Sequence, residues 1–438
     1  MQETISVIGM LAALVLLTVL VMKGVNIFVV AIAASLLVAI TGGINIYDAL
    51  KENYMTGFTG FVKNNFLIFL AGAFMGKAYE ITNGAKSIAR WIIKSVGPKG
   101  AAISVPIAIG ILTYGGIAGF VVCFAVFPIA LEIYREADIP RRFIPAAIIF
   151  GCCTFSGIGP GNPQVGNVVL VNALGTTLMA GAVVGFICTA VTLVVGLIIL
   201  NKMIKKAKAN GEHFVTRDTD KFNDDAELPN HWLALLPLII TLLAINVKIG
   251  GSTIIQTEYG VAIGAALAYV LLMKFRTDKM PLMDHVAGAV RNAITAVSNT
   301  SGVVGFGTVV KAAVGFPVVV NAITNIPGPP LVAVSIATTV IAGVCGSGSG
   351  GLGIAAPILA PIYTAQGISL EVLHRTMLVA SSALDTMPHN GFVVTVTNGV
   401  CNETHKEAYM PVFWMTVITP AIATAVAIIL FTLFPNWP

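Results

Sequence analysis

Charge is scarce in this chain. Of 438 residues only 10% are Asp, Glu, Lys or Arg, while 56% are hydrophobic. A soluble domain carries about 25% charged residues, so a solvent-covered globule of this size is excluded. The mean hydropathy of +0.89 makes the chain an integral membrane protein, in which spans are counted rather than domains. Cysteine is scarce too. Of six, Cys123, Cys152, Cys153, Cys188 and Cys345 lie inside apolar runs, where a free thiol packs as a small hydrophobe. A disulfide framework is excluded, and the CxxC and histidine spacings that signal a metal are absent. No basic segment or small-residue cleavage site marks 4–22 as a signal peptide, so this run reads as the first span. The net charge of +5 resides in loops and is no nucleic-acid footprint.

What is present is a series of apolar runs. They fall at 4–22, 25–41, 64–84, 101–131, 143–173, 178–201, 231–249, 257–273, 290–312, 330–363, 374–400 and 410–434. A helical span needs about 20 residues. The runs 101–131 and 330–363 are too long for one simple span and carry the glycine clusters TYGGIAGF (113–120) and CGSGSGGLG (345–353).

Basic residues favour cytoplasmic loops. Lys86, Arg90, Lys94 and Lys99 precede 101–131, and Arg135, Arg141 and Arg142 follow it. Both ends therefore lie on the cytoplasmic side, and the run is a re-entrant hairpin. The run 330–363 sits in a stretch free of Lys and Arg between Lys311 and Arg375, which places both its ends outside. The linker 203–230 and KFRTDK (274–279) lie inside. Lys51, Lys63, Lys248 and Arg375 fall on the outer side as exceptions. The expected fold class is an all-α polytopic membrane protein with about ten transmembrane helices and both termini outside, plus two opposed hairpins.

The halves repeat. FPIALEIY (127–134) matches APILAPIY (356–363), GPGN (159–162) matches MPHN (387–390), and GAFMGKA (72–78) matches GFGTVVKA (305–312). With five crossings per half, the second copy is inverted. Residues 1–202 form the first repeat, with hairpin 101–134 and broken helix 143–173. Residues 203–230 form a solvated cytoplasmic linker. Residues 231–438 form the second repeat, with hairpin 330–363 and broken helix 374–400. Inverted repeats with interrupted helices are the plan of secondary transporters.

Pro388 and Gly391 break one helix; Pro160, Gly161 and Pro163 break the other. Broken backbone at membrane depth survives only where it is buried in protein or lines a cavity. Freed helix N-termini suit an anion. The candidate substrate site is therefore Tyr114, Gly115 and Gly116 at the first tip, Gly346, Ser347, Gly348 and Ser349 at the second, Ser156, Gly159, Gly161 and Asn162 at one break, and Thr386, His389 and Asn390 at the other. Asn162 and Asn390 match between repeats; the alternative is that they cap the broken ends. The serines and threonines can bind substrate hydroxyls or bond back to their own helices. Asp385, an acid inside a broken span, is the candidate proton carrier. His389, four positions on, is expected on the same helical face as a relay partner or donor.

These residues resemble the gluconate permease family of the ion-transporter superfamily. LAGAFMGKAYEITNGAKSIARWI (70–92), the hairpin with FPIALEIY, and SGIGPGNP carry the likeness over essentially the whole chain. The resemblance implies two inverted repeats, a homodimer in the bacterial cytoplasmic (inner) membrane, elevator-like motion, and symport of small hydroxy acids, usually with protons. It implies no cofactor. The chain departs from the family's acidic first tip and its histidine-rich first break, which favours 3-hydroxybutyrate over gluconate and moves coupling onto Asp385 and His389. A sodium-coupled di- or monocarboxylate carrier is the alternative. No nucleophile–base pair or metal motif suggests an enzyme.

Overall fold

In a computed structural model of residues 1–438, the described residues are all but 115–118, 163, 218–219, 221–226, 247, 250–251, 254, 277, 325–327 and 438. Their regular structure is helical apart from a two-residue antiparallel ladder, Lys248–Ile249 with Ser252–Thr253, and turns and irregular segments join the helices. This is the fold class the composition implies: in lipid an open backbone has no water to bond to, and a helix satisfies its own N–H and C=O groups.

The first half holds α1 (Gln2–Met22), α2 (Ile27–Gly42), α3 (Ile46–Ile81), α4 (Gly84–Tyr114), α5 (Gly119–Glu136), α6 (Ile144–Ile149, continued as a π-helix over Phe150–Thr154), α7 (Val165–Leu174) and α8 (Ala182–Ala209). The second holds α9 (His231–Asn246), α10 (Thr257–Leu272), α11 (Leu282–Ala312), α12 (Phe316–Thr324), α13 (Pro330–Cys345), α14 (Gly348–Thr364), α15 (Leu370–Asp385), α16 (Gly391–Val400) and α17 (His405–Leu433). The order recurs: long helices, a short connecting helix, a paired hairpin, a broken helix and a closing helix.

Local chemistry sets the boundaries. Asn26, Asn45, Ser369 and Thr404 cap helix N-termini through their side-chain oxygens, satisfying otherwise unpaired N–H groups. Gly97, at φ 71 and ψ 169, divides α4 into a connecting helix and the first arm of the hairpin. Gly346, at φ 60, ends α13 and turns the chain into α14. Gly57 lets α3 approach α11, since a Cβ there would stand 2.9 Å from Val304 O. Such small residues draw helices together in membranes.

Apolar packing divides the molecule. One cluster joins α1, α2 and α11 through Leu17, Val30, Val38, Phe306 and Val309. Another joins α7, α13, α14 and α15 through Leu170, Ala337, Leu352, Leu359 and Met377. A third joins α8, α15 and α17 through Val184, Val379 and Ala427.

Several expectations change. The connecting helix at the start of α4 and its counterpart α12 lie where loops were expected. Lys51 and Lys63 lie on α3, which starts well before residue 64. The linker is not simply solvated. α8 runs through Ala209, and beyond it Glu212 takes a bidentate bond from Arg142 at 2.7 and 2.9 Å. Asp220 accepts from buried Arg141 at 2.5 Å, and Ser87 donates to Pro229 O at 2.6 Å. The segment of mixed charge is thus tied at Glu212, Asp220 and Pro229 to partners far away in sequence. Arg375, expected outside, is fully buried.

Candidate functional site

Two non-helical gaps and a hairpin tip meet. A cavity of about 420 Å³ lies between them and the flanking helices α3 and α11. Its walls include Gly119, Val165, Gly348 and Gly391, the first residues of α5, α7, α14 and α16. Four helix N-termini therefore border one space. Phe61 and Ile68 of α3, Val303 and Val304 of α11, and Phe392 supply an apolar wall.

Asp385 ends α15 and lines the cavity. Its Oδ1 accepts from Gly348 N at 2.5 Å and from Asn390 Nδ2 at 2.9 Å. The tip is shaped for this contact: a Cβ on Gly348 would stand 3.0 Å from Asp385 Cγ, and one on Gly346 would stand 2.9 Å from His389 Cδ2. Ser347 Oγ caps α14 by accepting from Gly350 N at 3.1 Å, and Ser349 Oγ lies 3.5 Å from it. Asn390 ties break to tip. Its Nδ2 donates to Gly346 O at 3.0 Å and Asp385 O at 2.8 Å, and its Oδ1 caps α16 by accepting from Val393 N at 2.9 Å.

The other candidates hold the architecture from behind. Asn162 donates to Ser156 O and accepts from Gln164 N at 2.8 Å, both within its own break, and it is fully buried outside the cavity lining. Ser156 Oγ donates to Gly151 O at 2.7 Å and accepts from Thr113 Oγ1 at 2.9 Å. Tyr114 OH donates to Pro160 O. Gly159 O accepts from Asn167 Nδ2 at 3.2 Å, and Gly161, at φ 78, donates its N–H to Leu178 O at 2.8 Å. Thr386 Oγ1 pairs with Thr416 Oγ1 of α17 at 2.7 Å. Gly115, Gly116 and Pro163 lie outside the described residues.

His389 does not share a helical face with Asp385. Residues 386–390 form a turn, so the spacing of four does not stack the two side chains. The ring is buried, with Nε2 donating to Gly343 O at 3.1 Å and Nδ1 3.3 Å from Thr18 Oγ1. It bolts the second hairpin and its break to α1.

Polar groups passed over in the sequence also face the cavity. Gln164 lines it while its Nε2 donates to Thr113 O at 2.7 Å. Asn65 of α3 and Cys153 line it too. Ser381 and Ser382, which the sequence offered either as partners of substrate hydroxyls or as back-bonding residues, both bond back to Leu378 O, at 2.8 and 3.4 Å, and contribute to the wall. The available signal for Gln164 was its place directly after the broken GPGNP; for Cys153, its place in the helix entering that break.

Residues 5–434 match the family described as GntP family permease. The chain belongs to the GntP permease family. The uncharacterized transporter YxjC of Bacillus subtilis (strain 168) is 31% identical over 437 residues, covering 90% of this chain and 92% of that protein. The high-affinity gluconate transporter of Escherichia coli (strain K12) is 24% identical over 302 residues, covering 66% of this chain and 65% of that one. Among solved structures, the Alcanivorax borkumensis YdaH transporter aligns with a TM-score of 0.45 and 15% identity, covering 90% of each chain. The resemblance read from the residues is thus borne out. The permease is a multi-pass membrane transporter, not an enzyme.

Proposed function

We propose that the permease is a secondary active symporter for a small hydroxy-carboxylate anion, of the 3-hydroxybutyrate or gluconate kind, coupled to protons. The observation that supports this is the meeting of four helix N-termini on the cavity that holds Asp385. Their N–H groups and dipoles favour a carboxylate. An ionised Asp385 repels that carboxylate and competes for the same donors. Protonating Asp385 removes both obstacles, so proton and anion favour each other's binding. The name of the E. coli relative supports a sugar acid. The apolar wall favours a less hydroxylated acid such as 3-hydroxybutyrate, because each buried hydroxyl left without a partner costs about 1–3 kcal/mol.

Residues 1–202 and 231–438 are read as inverted repeats joined by 203–230, in a homodimer of the bacterial cytoplasmic membrane with both termini outside. The hairpins and broken helices travel as the moving part against α3 and α11. Purified permease in proteoliposomes tests the coupling. A pH gradient of one unit supports about tenfold accumulation per proton, since 1.4 kcal/mol is a factor of ten. Labelled 3-hydroxybutyrate and gluconate are offered under a pH gradient or a sodium gradient. Accumulation under the pH gradient alone is expected, lost in Asp385→Asn with exchange retained. Accumulation that needs sodium would replace the proton reading with sodium-coupled carboxylate transport.

A further inference from the structure

Arg375 lies fully buried on α15, the helix that ends in Asp385. Its Nε donates to Ala180 O at 2.8 Å, its Nη1 to Ile158 O at 2.9 Å and its Nη2 to Leu178 O at 3.1 Å. All three acceptors belong to the other half. Ile158 lies in its helix break, and Leu178 and Ala180 lie in the turn after α7. The neighbouring His374 repeats the pattern. Its Nε2 lies 2.8 Å from Asn167 Oδ1 and its Nδ1 2.6 Å from Thr176 Oγ1. Asn167 Nδ2 relays the contact to Gly159 O at 3.2 Å and Asn162 O at 3.0 Å.

The first half is carved to admit the guanidinium. A Cβ on Gly185 would stand 2.8 Å from Arg375 Nε and 2.6 Å from Pro160 Cγ, and one on Gly181 would stand 2.7 Å from Arg375 Cβ. Removing a guanidinium from water is costly unless its donors are met. An apolar side chain would fill the slot without that cost. What the arginine adds is direction, because its planar fork fixes three carbonyls at once. Those carbonyls hold the loop that carries Gly157 and Gln164 into the cavity, while α15 carries Ser381, Ser382 and Asp385 into it.

We propose that Arg375, with His374, is a positioning residue that fastens the first half's helix break to α15, so that both walls of the cavity keep one spacing and move as one body. The proposal rests on the transport reading of that cavity. Without the clasp the two walls separate part of the time. The apparent affinity then falls by the fraction of molecules still assembled, while the turnover of assembled molecules is unchanged.

Two measurements test it together. Spin labels on ketone-bearing residues at Asn172 and Glu371, both exposed, report the spacing of the halves by double electron–electron resonance. Transport kinetics report KM and Vmax separately. Arg375→Lys keeps the charge but not the fork, and Gly185→Ala fills the slot while leaving the arginine in place. In both we expect a broadened distance distribution and a KM raised about tenfold, with Vmax within about twofold of wild type. Arg375→Gln combined with His374→Ala should broaden the distances further. An unchanged distribution in Arg375→Lys and Gly185→Ala overturns the clasp, as does a fall in Vmax at constant KM. A wild-type protein that carries neither acid ends the functional reading, and the distance measurement then judges the clasp alone.

Discussion

Asp385 Oδ1 sits 2.5 Å from the amide nitrogen of Gly348, so the acid at the end of one broken helix is held by the first N–H of α14, the second arm of the hairpin facing it. The contact depends on the missing side chain. A methyl group on Gly348 would stand 3.0 Å from both Cγ and Oδ2 of Asp385, and the tip would have to lift. Gly348→Ala should therefore lower uptake by about tenfold or more, as sub-ångström misplacement does at reactive sites. Gly353→Ala, on the same helix and with nothing nearer than 4.0 Å, should leave uptake close to wild type. Initial rates in proteoliposomes compare the two; equal loss in both variants would remove the tip contact from the explanation.

Cys153 offers a reporter of the same space. It lines the cavity and is half-buried, whereas the other five cysteines are buried. A small maleimide should react with Cys153 first and block uptake, and saturating substrate should slow that reaction. Cys153→Ser should resist the block. Mass spectrometry of the labelled peptide identifies the site; labelling at a cysteine other than Cys153 and its cavity-lining neighbour Cys152, or labelling indifferent to substrate, would contradict the cavity as the binding space.

Much of this site could be read from the sequence, because breaks and tips are local events. Gly346, at φ 60, ends one arm of the hairpin, and Pro388 lies in the turn between α15 and α16, each acting through its own backbone. The acid at 385 stood out because ionisable groups inside spans are costly. What stayed hidden depends on distant partners. Arg375 looked like an outer-loop residue, since its acceptors at 158, 178 and 180 lie in the other half. The linker looked solvated because Arg141, Arg142 and Glu403 lie outside it. Asn162 and Asn390 match in sequence, yet Asn390 caps α16 and lines the cavity while the Asn162 side chain bonds within its own break and lies outside the lining.

The loop after α10 carries a pH-dependent contact outside the spans. Burial alone would raise the Asp278 carboxyl. Hydrogen bonds from Arg276, His285 and the Met280 N–H outweigh it and hold it at about 2. An unfolded aspartate titrates near 3.9. With the folded value depressed, the contribution to stability is present above about pH 4 and disappears as pH falls through about 2. Melting in detergent should show Asp278→Asn below wild type at neutral pH by a constant gap. That gap should close as the buffer is taken from pH 4 toward pH 2. A gap that stays open at pH 2 would assign the stabilisation to packing instead of charge.

The strapped linker predicts an unequal response among its ion pairs. Arg141 is buried and donates to Glu403 Oε1 at 2.6 Å, Asp220 Oδ2 at 2.5 Å and Cys401 O at 3.1 Å. Arg217 also binds Glu403, through Oε2 at 2.8 Å. Removing Arg141 leaves Asp220 with the Arg217 N–H and Glu403 with one half-exposed cation. Breaking a buried pair costs about 3–5 kcal/mol, so Arg141→Gln should fall in that range by denaturant unfolding in detergent. Asp220→Asn should cost less, because Arg141 keeps Glu403 and the Cys401 carbonyl. In the Arg141→Gln, Glu403→Gln double variant the loss should be smaller than the sum of the single losses, since residues of one network share their energy. Strict additivity would show that the linker lies on this face without being held by it.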